Sequence, residues 1–165
     1  MLAFLNEPAI VVSLGNLGDV NMEHLAALIP EGIRVLFIKS GLESSNPDHM
    51  HHPSELNLPL ALEASVGIVF GGGVNTAAEV GASGRLSICI PNMLEQTENC
   101  KAMQALGISK MIPASYLTSA EQADEIKEAL NKLWEFGRQQ RLSETAGRCQ
   151  AEDGLNAFVD RARKL

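Results

Sequence analysis

The sequence predicts an α/β fold, a doubly wound and mainly parallel sheet of about five or six strands with helices on both faces. Short, continuous apolar runs alternate with longer amphipathic stretches along the chain, which is the pattern of repeated βα units. Glycine or proline stands at many of the boundaries between them. The chain has 165 residues, close to the roughly 150 of a typical domain. We therefore expect a single domain over residues 1–165.

Four segments have the length and apolar character of strands that are buried on both faces, and they are residues 9–14, 33–38, 66–70 and 86–90. A short strand is also expected at 109–112, and another near 49–52 in an otherwise polar stretch. Helical spacing of apolar residues predicts helices between and after them. These are residues 21–29, 58–64, 74–80, 98–106, about 119–140 and 154–164. Ser119 is expected to cap the first of the two carboxyl-terminal helices, and Asp153-Gly154 to separate them.

The composition excludes several classes of function. Lys and Arg number 13 against 20 Asp and Glu, a net charge of −7, which argues against a protein that neutralises duplex backbones. Aromatic residues make up only 4% of the chain, too few for a platform that stacks single-stranded bases. No apolar run reaches the roughly 18–20 residues of a membrane span. We expect neither a nucleic-acid partner nor a membrane span.

The cysteines and histidines indicate no metal and no cofactor. Cys89, Cys100 and Cys149 are odd in number and widely spaced, so they match no zinc pattern and no disulfide framework, and a cytoplasmic location is expected. On a strand, His49 and His51 would share one face, which could suit a metal. Without a second ligand cluster, solvated loop histidines are the preferred interpretation. No catalytic triad can be identified, and the catalytic residues remain unknown.

The loops that follow the strands are the places to look for a ligand. In open parallel sheets a ligand binds beyond the carboxyl ends of the strands, where the strand order reverses. The loops at 15–19, 70–76 and 91–98 occupy such positions in the predicted sheet. Residues 1–126 carry 5 basic and 14 acidic side chains, so backbone N–H groups would have to supply most of any phosphate site.

The glycine turn at 71–73 is the strongest of these features. A buried strand enters three glycines and a helix follows, so a phosphate could approach the backbone closely and meet the helix N-terminus. Asn75 and Thr76 could add donors, and Glu79, about one turn later, could accept hydrogen bonds from ribose hydroxyls. The spacing fits neither a P-loop nor a dinucleotide fingerprint. A tight strand-to-helix turn without a ligand is the alternative interpretation.

Two further loops complete the pattern. Glu95 and Gln96 offer acceptors and donors suited to sugar hydroxyls, although for this segment alone a polar loop with Thr97 capping the next helix is the favoured interpretation. Gly15 and Asn16 follow the first strand and open the backbone toward the strand ends, as an ordinary βα turn would also do.

Together the three loops resemble the carboxyl-terminal, donor-binding half of GT-B fold glycosyltransferases, a Rossmann-like domain. The nearest likeness is to glycosyltransferase family 28, which includes the UDP-N-acetylglucosamine transferase of peptidoglycan synthesis, and to the related nucleotide-sugar hydrolase of pseudaminic acid synthesis. The resemblance covers roughly residues 9–160. It is carried by Gly72-Gly73-Val74-Asn75-Thr76-Ala77-Ala78-Glu79, Ile90-Pro91, Glu95-Gln96, Asn99, and Val12-Ser13-Leu14-Gly15-Asn16.

The resemblance implies a nucleotide-sugar ligand, a UDP-sugar in most of these relatives, and a role for each matching residue. The diphosphate would lie at the glycine turn at 71–73, and Glu79 would hold the ribose. The sugar would meet Glu95 and Gln96, and the loop that contains Gly15 and Asn16 would line the cleft. The substrate-binding residues would be Gly15, Asn16, Gly72, Gly73, Val74, Asn75, Thr76, Glu79, Glu95 and Gln96. Gly71 stands where many relatives have His or Arg.

The size of the chain bears on what it could do alone. In GT-B enzymes an amino-terminal domain holds the acceptor, so the resemblance implies either that an amino-terminal-half partner chain completes the site or that this chain is a fragment of a longer protein. The alternative is a non-catalytic regulatory or assembly module, such as a homodimer, that kept the fold and lost the ligand.

Overall fold

The computed structural model describes residue 4 and residues 7–15, 19–38, 46–52 and 56–162. Its centre is one sheet of six parallel strands in the order β3-β2-β1-β4-β5-β6. The strands are β1 Ile10–Ser13, β2 Val35–Ile38, β3 His49–His52, β4 Gly67–Phe70, β5 Ser87–Cys89 and β6 Ser109–Met111. The predicted fold class is confirmed, and the strand order reverses between β1 and β4.

Among the described residues, five α-helices and a 3-10 helix at Ala114–Thr118 connect and cover these strands. They are α1 Asp19–Leu28, α2 Leu58–Ala64, α3 Val74–Ser83, α4 Leu94–Ala105, the 3-10 helix Ala114–Thr118 and α5 Ala123–Ala162. None of the helices in the described ranges is both long and apolar enough to cross a membrane.

The core consists of two apolar layers, one on each face of the sheet. Alternate strand residues such as Val12 and Phe37 pack with α1 and α5, and their neighbours Val11 and Leu36 pack with α2, α3 and α4. Both faces of the central strands are buried, and this is why the strands appear in the sequence as continuous apolar runs.

Helix α4 begins at Leu94, four residues before the predicted start. Thr97 does not cap it, because its hydroxyl donates to the carbonyl of Met93 one turn earlier within the helix. Glu95 and Gln96 therefore lie in the first turn of α4 and not in a preceding loop.

The carboxyl-terminal region is one helix, α5, and the predicted break at Asp153-Gly154 is wrong. A glycine inside a helix costs only about 1 kcal/mol relative to alanine, so one glycine need not end it. The other end also differs from the prediction, because Ser119 closes a turn with Gln122 before α5 begins at Ala123.

Gly137 allows α5 to lie directly against the sheet. A Cβ at this position would stand 1.9 Å from the carbonyl oxygen of Val66, just before β4.

Arg85 anchors the next turns of helix α5. Its guanidinium donates to both carboxylate oxygens of Glu144 at 3.0 Å and to the carbonyls of Leu62 and Glu63 at the end of α2.

A disulfide joins Cys89, at the end of β5, to Cys100 in α4, so the expectation that the cysteines form no disulfide is wrong. The two Cα atoms are 5.7 Å apart, within the usual range for such a bond. The pairing arises from the packing of α4 against the sheet, which the spacing of the cysteines does not reveal. The cytoplasmic location loses this support and stays a prediction.

The histidines at 49 and 51 lie on the edge strand β3, not in a solvated loop. The ring of His51 stacks on Phe37 with centroids 4.6 Å apart, and the ring of His49 meets Phe37 edge-on at 5.6 Å. Burial lowers the pKa of His49 below its usual 6.5, His51 lowers it further and Asp48 opposes the change. Burial also lowers the pKa of His51. Within the described ranges, no three potential ligand side chains form a metal-binding group.

From the lowered pKa values of these two histidines we predict that the protein loses stability in mild acid. The unfolded chain takes up their protons near pH 6.5, whereas the folded protein does so only at lower pH, so protonation favours unfolding. Above pH 6.5 both histidines are neutral in the folded and the unfolded protein, and the free energy of unfolding has its full value. It decreases as the pH falls below 6.5. Melting temperatures measured from pH 7.5 to 5 should fall less steeply for the double variant His49→Gln/His51→Gln. His24→Gln on α1 is the control, and an unchanged slope in the double variant would contradict the prediction.

Candidate functional site

Two cavities lie side by side at the carboxyl ends of β1 and β4, where the strand order reverses. The larger has a volume of about 560 Å³, and the smaller of about 150 Å³. Ser13 and Thr76 line both, so the cavities adjoin. This is the position at which doubly wound sheets bind their ligands.

The glycine turn between β4 and α3 forms part of the smaller cavity, and its glycines differ in their surroundings. Gly72 has a left-handed φ of +83°, and a Cβ there would meet the Cys100 sulfur at 2.7 Å and the Gln96 carbonyl oxygen at 2.8 Å. Gly73 has no atom within 4 Å of such a Cβ and lines the cavity, as does Gly71. Gly72 therefore packs the turn against α4, and Gly73 leaves the backbone open.

The N-terminus of α3 can bind an anion at this position. Gly73 is its N-cap, and no side chain caps the helix there. The first four N–H groups of a helix lack intrahelical acceptors, and the helix dipole adds positive potential. Thr76 extends the smaller cavity with a hydroxyl. The combination can accommodate a phosphate without a cationic side chain.

The larger cavity has a polar wall. Asn57, Asn75 and Glu79 contribute to it together with Ser13 and Thr76. A half-buried carboxylate such as that of Glu79 can accept hydrogen bonds from two adjacent hydroxyls of one ligand. The apolar part of its lining comes from Leu56, Leu58, Pro59 and Ile38.

Gln96 reaches the smaller cavity from α4, and its side-chain oxygen accepts a hydrogen bond from the Asn92 backbone N–H at 2.8 Å. Its predicted companion Glu95 is exposed in the first turn of α4 and lines neither cavity. Val74 is also exposed and lines neither. Gly15 lines the smaller cavity with a φ of +62°. Asn16 lies outside the described residues.

The structure therefore brings six of the ten predicted residues to the two cavities. These are Gly15, Gly73, Asn75, Thr76, Glu79 and Gln96. Asn57 and Ser13 also line them but were not among the ten residues singled out. Ser13 could have been found from the sequence as a polar residue at the end of an apolar run. Asn57 precedes a helix with proline in its first turn, which predicts a helix cap but not a place in the cavity. That these residues bind a ligand stays a prediction.

Charge at the site comes from the backbone and from Glu79. Within the described part of the chain, the residues that line the two cavities include neither lysine nor arginine. Arg85, one of few cations near this region of the sequence, is only 5% exposed and is engaged by Glu144 and two backbone carbonyls. It is therefore not placed to bind phosphate in either cavity.

No family model matches this sequence, and no curated protein does either. Solved structures of glycosyltransferases are similar in fold. The match to spinosyn rhamnosyltransferase SpnG complexed with thymidine diphosphate has a TM-score of 0.66 at 15% identity and covers 79% of this chain and 39% of that one. The match to CalG4, the calicheamicin glycosyltransferase, has a TM-score of 0.62 at 18% identity. It covers 96% of this chain and 45% of that one.

LpCGTa in complex with UDP is similar as well, with a TM-score of 0.60 at 19% identity over 78% of this chain and 39% of that one. This chain therefore spans less than half the length of each of these proteins. The likeness shows a Rossmann-like α/β fold that is consistent with half of a GT-B glycosyltransferase.

Proposed function

We propose that this chain is the nucleotide-sugar-binding, carboxyl-terminal half of a glycosyltransferase or nucleotide-sugar hydrolase, similar to glycosyltransferase family 28. The observation that carries the proposal is the pair of adjoining cavities at the switch in strand order, with the uncapped N-terminus of α3 beside them. Structures of similar fold that contain thymidine diphosphate or UDP support a nucleoside diphosphate as the core of the ligand.

Each part of such a ligand has a matching part of the site. The diphosphate would accept hydrogen bonds from the N–H groups at the start of α3 and from the Thr76 hydroxyl. The nucleoside would occupy the larger cavity, with the ribose hydroxyls on Glu79. The sugar would extend toward Gln96 in the smaller cavity. Glu95, which is exposed and lines neither cavity, would reach only a part of the sugar that extends beyond the cavity.

In the reaction, the bond between the sugar carbon and the diphosphate oxygen breaks, and the diphosphate leaves with the electron pair. The N–H groups and dipole of α3 would stabilise that developing negative charge. The acceptor, or a water molecule in a hydrolase, would be bound and deprotonated by groups on an amino-terminal-half partner domain. The chain would thus supply donor binding and leaving-group stabilisation, and the partner the catalytic base.

We expect UDP, thymidine diphosphate or UDP-N-acetylglucosamine to bind in isothermal titration calorimetry, and Glu79→Gln to weaken that binding about tenfold. The substitution keeps the shape of the side chain and removes a charged acceptor from the ribose site. Glu98→Gln, on the exposed face of α4, is the control and should leave affinity unchanged. If folded protein gave no heat of binding with any of the three ligands at millimolar concentration, the proposal would be refuted.

The second candidate is a non-catalytic assembly module, possible because the described residues lining the cavities provide no cationic side chain. Such a module would form a homodimer or bind its partner without using the cleft. Light scattering separates the two functions. The assembly module would be favoured by a dimer whose mass is the same with and without nucleotide, together with no heat of nucleotide binding in calorimetry.

A further inference from the structure

Asn99 connects α4 to the glycine turn. Its side-chain Nδ2 donates a hydrogen bond of 2.9 Å to the carbonyl oxygen of Gly72. Asn99 lies in the second turn of α4 and is half-buried, so part of the contact is shielded from water. Neither cavity is lined by Asn99 itself.

This hydrogen bond determines the orientation of the peptide group between Gly72 and Gly73. In a trans peptide the C=O and N–H bonds point in opposite directions. A carbonyl held toward α4 therefore turns the Gly73 N–H away from α4. Gly73 lines the smaller cavity and is the N-cap of α3, so this N–H belongs to the proposed phosphate site.

Without the hydrogen bond this peptide could turn over. Turning this peptide over changes ψ of Gly72 and φ of Gly73, and because both residues are glycines no Cβ opposes the change. A reversed peptide would direct the Gly72 carbonyl, a negative dipole end, toward a bound phosphate. The backbone therefore needs an external contact to choose one orientation, and the amide of Asn99 is that contact.

The disulfide keeps the donor in place. Cys100 follows Asn99 directly and is bonded to Cys89 at the end of β5. Both sulfurs lie against Gly72, where a Cβ would be 2.7 Å from the Cys100 sulfur and 3.1 Å from that of Cys89. The position of α4 relative to the turn is thus fixed at the residue next to the amide.

We infer that Asn99 is a positioning residue for the diphosphate site, which directs the Gly73 N–H toward the phosphate by holding the Gly72 carbonyl. The inference rests on the proposed function. It predicts that the affinity for a nucleoside diphosphate depends on a side chain that does not line the cavity.

The test compares UDP and thymidine diphosphate binding to the wild type, Asn99→Ala and Asn99→Asp. Asn99→Asp keeps the size of the side chain but offers a carboxylate, which cannot donate to the Gly72 carbonyl. We expect both variants to bind the nucleotide at least about tenfold more weakly. In amide NMR spectra recorded at saturating nucleotide, the Gly73 resonance should shift further in the wild type than in either variant.

Met103→Ala is the matched control, because it removes a buried side chain from the same helix without touching the turn. It should lower the melting temperature and leave nucleotide affinity and the Gly73 shift unchanged. The inference would be overturned if Asn99→Ala bound nucleotide as tightly as the wild type, or if Met103→Ala lost as much nucleotide affinity as Asn99→Ala. Either result would leave the proposed function standing. A wild type that binds neither nucleotide would instead refute the proposed function, and the inference with it.

Discussion

Gly137→Ala is expected to lower the free energy of unfolding by about 3 kcal/mol or more, the upper range for overpacking a core. The new methyl group would lie 1.9 Å from the Val66 carbonyl oxygen and 2.9 Å from the Val66 Cβ. Neither atom can move without shifting the backbone that leads into β4. Helix α5 would have to withdraw from the sheet, exposing apolar residues such as Leu130 and Leu133.

Gly81→Ala is the matched control, because Gly81 is also helical and has no atom within 4 Å of a Cβ. There the same change should stabilise the protein by about 0.5–1 kcal/mol, through the higher helix propensity of alanine. Urea unfolding followed by circular dichroism measures both values. A Gly137→Ala protein as stable as the wild type would show that α5 does not pack on Val66 as described.

Gly72→Ala and Gly73→Ala should separate the stability of the glycine turn from its capacity to bind a ligand. Alanine at position 72 would adopt a left-handed φ, costing about 1–2 kcal/mol, and would also collide with the disulfide and the Gln96 carbonyl. We expect this variant to lose stability and nucleotide binding together.

Gly73→Ala should keep the stability of the wild type, because its φ of −61° suits alanine and the position is open. The added methyl group would occupy the smaller cavity and should weaken nucleotide binding about tenfold. Thermal unfolding and calorimetry on the two variants give the comparison. Unimpaired nucleotide binding by Gly73→Ala would place the phosphate elsewhere.

The sheet could be predicted from sequence because each central strand is buried on both faces, as the runs at 35–38 and 67–70 illustrate. The glycine turn could be predicted because a strand, three glycines and a helix start follow one another locally. The helix that starts at Leu94 shows the limit of this reasoning, since Thr97 looks like a cap but bonds within the helix.

Features that depend on contact between distant segments could not be predicted. The cysteines gain a partner only when α4 packs beside β5, and Gly137 gains its role only when α5 meets Val66. Arg85 illustrates the same limit, because its nearness to the glycine turn in sequence says nothing of Glu144. Asn57 reaches the larger cavity only because α2, which it caps, packs beside α3 in the folded protein.

The Cys89–Cys100 bond has a mechanical consequence for ligand entry. It closes a ring that includes the whole connection from β5 to α4, with Asn92 and Gln96 inside it. The wall that carries Gln96 is therefore tied covalently to the sheet at both ends of this segment. In the donor site that we propose, Gln96 would reach the ligand from a covalently closed segment, whereas Asn57 lies on a segment that contains no cysteine.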